Sequence, residues 1–285
     1  MEITDFRRHH RDILAALVRL LGPQHFDLAE DVAQEALVRA LEVWPFSGVP
    51  ANPRAWLIQT AKHKAIDRLR RDRRLVPEDD TVAAVFDRPP AEFEDDALVM
   101  IFLCCHPALA VENQVALTLQ AVCGLNAREI AQAFLLPEPT VAQRLVRAKR
   151  ALAGQRFEFP REPAERLDAV LAVLYLLFNE GHTALRTDLC EEALSLARQL
   201  AGHPRTAQPA VEALLALMLF QSSRLAAREP LLTLAEQDRA RWNRARIAEG
   251  FAHFERAIGG SMITRYHIEA AIAAQHAQAA SFETT

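Results

Sequence analysis

Apolar residues recur in this chain at spacings of three and four almost from one end to the other, and that period constrains the fold more than any other feature. Leu28, Val32, Ala36, Leu37, Ala40, Leu41 and Trp44 form one such set, and Leu57, Ala61, Ala65 or Ile66, and Leu69 a second. Val141, Leu145, Ala148 and Leu152 form a third, and Leu167, Val170, Leu171, Leu174, Leu177 and Phe178 a fourth. Residues so spaced line one side of an α-helix, whereas a half-buried strand would place them at every second position. Ala, Leu, Glu, Gln and Arg are abundant, all good helix formers, and only 9 glycines and 15 prolines interrupt them. The expected fold class is all-α. With 51% hydrophobic residues there is enough apolar surface for real cores, which excludes global disorder.

A chain of 285 residues suits two or three domains. Asp27 is a plausible N-cap for the first set, and PFSGVPANP (Pro45 to Pro53) reads as a loop. The acid- and proline-rich stretch from Val76 to Asp95 has no helical period and reads as a linker. Ala97 to Gln120 reads as two helices broken near Pro107, and FEFPREP (Phe157 to Pro163) as a second boundary. The expected division is therefore 1–75, 76–95, 96–156 and 161–285. In the last part further helices are expected near Leu189 to Leu200 and Ala210 to Gln221. Val211 to Phe220 is apolar nearly all round, as in a helix surrounded by others. Stacked helix pairs of solenoid type fit this half.

Net charge is only −4, which taken alone argues against a nucleic-acid partner. That figure is an average over opposed segments. Arg54 to Arg74 carries eight basic residues against two acids, a net +6, and Leu75 to Met100 carries eight acids against one base, a net −7. Ala127 to Arg156 is +4, and Arg161 to Thr285 is −2. Two basic islands flank an acidic connector.

The second island has the punctuation of a helix-turn-helix. A short helix (Ala127 to Phe134), the turn LLPE and a helix from Pro139 to about Ala153 follow one another. Pro139 is harmless in a first turn, where its missing N–H has no helical partner. With Val141, Leu145, Ala148 and Leu152 buried, the other faces carry Thr140, Gln143, Arg144, Arg147 and Arg150. Arg can pair with guanine and Gln with adenine in a major groove, while Lys149 and Arg150 are better placed for phosphates. A solvated basic face in a helical bundle accounts for the same pattern. In the first island Lys64, Arg68 and Arg71 fall at i, i+4 and i+7, a ridge of positive charge suited to a phosphate backbone. Asp67, four residues before Arg71, would support that helix. Trp56 is open to two readings, a base-stacking side chain or core.

Other chemistries are weakly represented. Cys104, Cys105, His106 and Cys123 lack the C-x-x-C spacing of a zinc site, so buried cysteines used as small hydrophobes are expected, with no metal and no cofactor. Ser222, Ser223, His182 and His203 form no nucleophile–base pattern, and an enzyme is not expected. The longest apolar run, Leu167 to Phe178, falls short of the 18 or so residues that span a bilayer. A cytoplasmic protein without membrane contact is expected.

Three segments in order carry a family resemblance: Asp31-Val-Ala-Gln-Glu35, the Trp56 to Arg71 helix, and the E-I-A…P…T-V-x-x-R-L-x-R-A helix-turn-helix. Together, over about residues 5 to 153, the chain resembles extracytoplasmic-function (ECF) bacterial sigma factors, with their regions 2 and 4. YLLFNEGH, LLALMLF, QDRARWNRARIAEG and IEAAIAAQHA resemble the ECF subgroup with a helical, tetratricopeptide-type C-terminal extension. The resemblance implies a factor that directs core RNA polymerase to promoters and aids their melting. Asp31, Gln34, Glu35 and Arg39 would meet the β′ clamp helices, and region 4 the β flap. Trp56, Lys62, His63, Lys64, Arg68 and Arg71 would contact the −10 element, with an extruded base near the Pro45 to Pro53 loop. Thr140, Gln143, Arg144 and Arg147 would read the −35 element, with Lys149 and Arg150 beside it. His63 stands where Asn is common in the family, and Ala142 where a basic residue is frequent. The extension would regulate, in one version by packing on the sigma domains. The competing reading is a helix-turn-helix regulator that acts without being a polymerase subunit.

Overall fold

The computed structural model describes residues 3–73, 96–229, 232–260 and 262–279. The linker expected over 76–95 lies outside them. Twelve α-helices, and no strand, occur among the described residues. They fall into two compact units, Met1–Arg161 and Glu162–Thr285.

The first unit opens with α1 (Ile3–Leu21), α2 (Phe26–Ser47) and α3 (Pro53–Arg73), each packed on the other two. Their shared core is built from Ile13, Leu14, Leu17, Phe26, Val32, Leu37, Leu57, Ala61 and Ala65, all at most 1% exposed. In α3 the inward residue is thus Ala65, with Ile66 only half-buried. Leu41 departs from its expected place in the stripe: it is 57% exposed, on the side of α2 away from the core. Asp27 is not the N-cap. The helix begins one residue earlier, His25 caps it without a side-chain bond, and Asp27 sits in the first turn. At its other end α2 continues through Pro45 to Ser47, so the loop is shorter than expected. A proline in the last turn forfeits one backbone bond but leaves the rest of the helix intact. Gly48 then ends it at φ 81°, a left-handed conformation that suits glycine, with its N–H on the Trp44 carbonyl at 3.0 Å.

Beyond 95 come α4 (Asp96–Cys104), α5 (Val111–Ala121), α6 (Ala127–Ala133) and α7 (Glu138–Leu152). The expected break near Pro107 is present between α4 and α5. A capping box starts α6: Asn126 Oδ1 accepts from the Glu129 N–H and Glu129 returns a bond to the Asn126 N–H, each 2.9 Å. Val141, Leu145, Ala148 and Leu152 are all buried, as their spacing predicts, and pack α7 on α5 and α6. Cys104, Cys105 and Cys123 are at most 1% exposed in this core, and burial pushes the Cys105 thiol up to about 12.

The second unit comprises α8 (Ala164–Thr183), α9 (Thr187–Gly202), α10 (Pro209–Ser222), α11 (Arg244–Ala257) and α12 (Arg265–Gln278). α9 packs on α8, α10 on α9, and α11 and α12 on α10. Every residue from Val211 to Phe220 is buried. That explains why the stretch Pro209–Ala227, long and apolar enough to cross a membrane, is 72% buried among its neighbours. A membrane span was not expected from the sequence. Length and composition alone admit one here, and burial marks it as a core helix.

Candidate nucleic-acid interface

Burial of one stripe of α7 aims the rest of that helix outward. Gln143, Arg147 and Arg150 are exposed at i, i+4 and i+7, with Thr140 and Arg144 half-buried beside them. The turn that sets α7 at its angle contains Leu135 at φ 51° and 93% exposed. Lys149 lies elsewhere. Its side chain is 13% exposed, and Nζ donates to Asp27 Oδ1 at 2.8 Å and to Glu30 Oε2 at 2.5 Å, over the Phe26 ring. Burial opposes the charge on Lys149, but Glu30 and Asp27 outweigh it and its pKa is raised. The sequence expectation of a phosphate contact therefore meets an ammonium already occupied by two carboxylates of α2. Glu30 escaped the sequence reading, although its place three residues after Asp27 puts both acids on one side of a helix.

The basic ridge of α3 is similarly engaged. Lys64 Nζ donates to Glu35 Oε2 at 2.8 Å, Arg68 Nη1 to Asp31 Oδ2 at 2.9 Å, and Arg68 Nη2 also reaches Glu35 Oε1. The hydrogen bond from Lys64 holds the Glu35 carboxyl below its ordinary range. Asp31, Gln34, Glu35, Val38, Arg39, Glu42, Lys64 and Arg68 line a single groove of about 430 Å³. Two sets of residues expected to serve different partners, the acids of α2 and the bases of α3, are thus brought together on one surface. Arg39 pairs with Glu42 at 3.1 Å. Val38 and Glu42 were not expected in the groove, though they lie three and seven residues on from Glu35.

The other α3 positions are spread along the helix. His63 is exposed and shares a 2.9 Å hydrogen bond with Gln59. Lys62 is half-buried. Arg71 is exposed and donates to the Asp67 backbone carbonyl at 3.3 Å, so the expected charge pair with the Asp67 carboxylate is replaced by a backbone bond. Trp56 is half-buried, its ring edge-on to Trp44 with centroids 5.5 Å apart. The last turn of α2 displays Phe46, 92% exposed, and the loop after it Val49, 64% exposed. An exposed aromatic beside a short loop suits stacking on an unpaired base.

Known proteins match this layout. Residues 6–75 match sigma-70 region 2, residues 100–152 match sigma-70 region 4, and residues 166–258 match a family of unknown function. An uncharacterized protein of Rhizobium meliloti (strain 1021) is 41% identical over 296 residues, covering 95% of this chain and 69% of its own length. No solved structure matches. With both sigma regions in order, and a helical unit after them, the chain belongs to the ECF-type sigma factors that carry a C-terminal extension.

Proposed function

We propose that the chain directs core RNA polymerase, in the cytoplasm, to a specific set of promoters and helps to open them. The observation that carries this reading is the outward ridge Gln143, Arg147 and Arg150 on a helix whose opposite stripe is buried. That is the arrangement needed to enter a major groove. Thr140, Gln143, Arg144 and Arg147 read the −35 element, with Arg150 on phosphate. Trp56, Lys62, His63, Lys64, Arg68 and Arg71 serve the −10 element. Strand opening requires no bond chemistry: unstacking a base costs a few kcal/mol, offset by its capture on aromatic and cationic groups.

Asp31, Gln34, Glu35 and Arg39 form the polymerase-docking face, against the β′ clamp helices, and region 4 meets the β flap. In the free protein Asp31 and Glu35 neutralise Lys64 and Arg68. A polymerase that takes over the two acids releases the two bases for DNA, which links docking to promoter binding. Lys149 reaches phosphate only once α7 has left α2. The C-terminal unit regulates these steps through contact with the sigma domains.

Transcription in vitro with core polymerase and fragments of the source genome tests the reading. A promoter-dependent transcript is expected, and Arg144→Ala and Arg147→Ala should abolish it at −35-dependent promoters. Absence of any such transcript, with tight operator binding in the absence of polymerase, would favour a helix-turn-helix regulator instead. Full activity of both variants would refute the assignment of the −35-reading residues.

A further inference from the structure

The second unit contains a cavity of about 270 Å³ between the end of α10, the connection that follows it and α12. Phe220, Arg224, Trp242, Glu269, Ile272 and His276 contribute to its walls. The volume lies near the small end of the ~300–1,000 Å³ range of ligand pockets.

Charge sets this cavity apart. Arg224 is partly buried and donates to the neutral amide oxygen of Gln221. Burial lowers its pKa to about 10, and the charges that add to the effect are both cations, Arg228 and Arg239. Among the described residues no carboxylate pairs with Arg224. Arg228 donates to the His182 carbonyl at 2.7 Å and lies 2.8 Å from that ring's Nε2. Arg239 Nη1 donates to the carbonyls of His276 and Ala279, at 2.6 and 2.8 Å, where α12 ends. Its other terminal nitrogen is buried without a partner among the described residues. Burial, reinforced by Arg224 and Arg239, lowers the His276 pKa. Glu269 is the acid in the wall, and its carboxylate accepts from the Tyr175 hydroxyl at 2.9 Å.

Trp242 supplies the second observation. Its side chain is 3% exposed, with the guanidinium groups of Arg239 and Arg224 over the ring at 4.7 and 5.9 Å from the centroid. The indole Nε1 is buried with no acceptor among the described residues. A partly buried cation with no counter-ion among the described residues, and a buried N–H with no acceptor among them, each cost stability. Here they stand in the same wall, beside an apolar surface. One ligand class satisfies both.

We propose that this cavity binds a small organic anion with an apolar body, its anionic head paired with Arg224 and its body against Phe220, Trp242 and Ile272. The site belongs to the C-terminal unit and stands whether or not the sigma reading holds. It gives that unit a means of sensing a metabolite.

Isothermal titration of the 285-residue chain with 3-phenylpropionate and hexanoate, and with the neutral 3-phenylpropanamide, tests the proposal. The acids should bind, and the amide about tenfold more weakly or worse. Arg224→Met should weaken the acids by a similar factor. Arg241→Met should leave binding unchanged, because Arg241 is exposed and paired with Glu229 outside the cavity. Without ligand, Arg224→Met should also raise Tm, since it removes a partly buried charge that lacks a counter-ion. Equal binding of acid and amide, unchanged binding by Arg224→Met, or no binding of either acid at about 10 mM overturns the proposal. So does a fall in Tm for Arg224→Met. Glu283, outside the described residues, is a rival counter-ion for Arg224 within the same unit. If Glu283→Gln lowers Tm as Arg224→Met does, the counter-ion is the chain's own carboxylate and the ligand site is refuted.

Discussion

Lys149 on α7 and Glu30 on α2 form an ion pair at 2.5 Å, with side chains only 13% and 11% exposed. They are 119 residues apart in the chain. The contact ties α7 to α2 within the first unit, and Arg19 and Asp96 form a second tie at 2.9 Å between α1 and α4.

Removing one partner of so enclosed a pair strands the other. Lys149→Met is expected to destabilise the first unit by about 1–3 kcal/mol, below the ~3–5 kcal/mol of a fully buried pair because Asp27 remains in water. Adding Glu30→Leu should recover most of the loss. Urea unfolding of the single and double variants measures both, and equal stability of Lys149→Met and the parent would contradict the account.

Glu35 restrains both Lys64 and Arg68. Glu35→Gln removes the negative charge that faces the ridge and should increase the affinity of the free protein for duplex DNA several-fold at low salt. The plot of log affinity against log salt should steepen by roughly one phosphate contact, a slope change of about −0.9. Fluorescence anisotropy across a salt series reads both quantities. An unchanged slope would mean that α3 does not meet phosphate.

His182 is held neutral, its pKa lowered to about 3 by burial first and then by Arg228 and Arg224. A folded-state value below the unfolded value near 6.5 means that acid protonates the unfolded chain first. The contribution is therefore absent above about pH 6.5, and stability falls progressively as pH drops from there towards 3. The total is on the order of a few kcal/mol. Denaturant midpoints between pH 7 and 4 should show this loss, and His182→Gln should flatten it. A parallel profile in the variant would show that another group is responsible.

Gly181 lies inside α8, where alanine normally favours a helix by ~1 kcal/mol. A Cβ placed there would lie 2.9 Å from the Leu189 Cβ and 3.0 Å from both the Arg186 carbonyl oxygen and the Cys190 nitrogen. Two of those three atoms are backbone and cannot swing aside. Gly181→Ala should lower Tm and cost about 1–3 kcal/mol. A stabilised variant would mean that the turn into α9 can shift.

The helices themselves were legible from spacing. Val141, Leu145, Ala148 and Leu152 needed only their period to be assigned to the core, and Val211 to Phe220 needed only their lack of a polar side. Order and separation of three short motifs were enough to suggest the family, because such motifs depend on local helical geometry. Where the reading failed, the cause was a neighbour distant in sequence or a backbone bond that spacing does not encode. Leu41 fits the stripe of α2 but sits at its edge, where no described helix of the first unit covers it. Asp27 has the chemistry of an N-cap, yet the helix starts a residue earlier and its carboxylate turns to Lys149.

Sequence by itself thus determined the all-α class, the outward ridge of α7 and the two basic islands. Each depends on residues within a few turns of one another. Tertiary structure alone decided which of those charges are spent within the protein. Lys149 on Asp27 and Glu30, Lys64 and Arg68 on Glu35 and Asp31, and Arg224 among other cations all follow from helices meeting across long stretches of chain. Electrostatic energy depends on distance in space and on exclusion of water, and neither is written in the order of the residues.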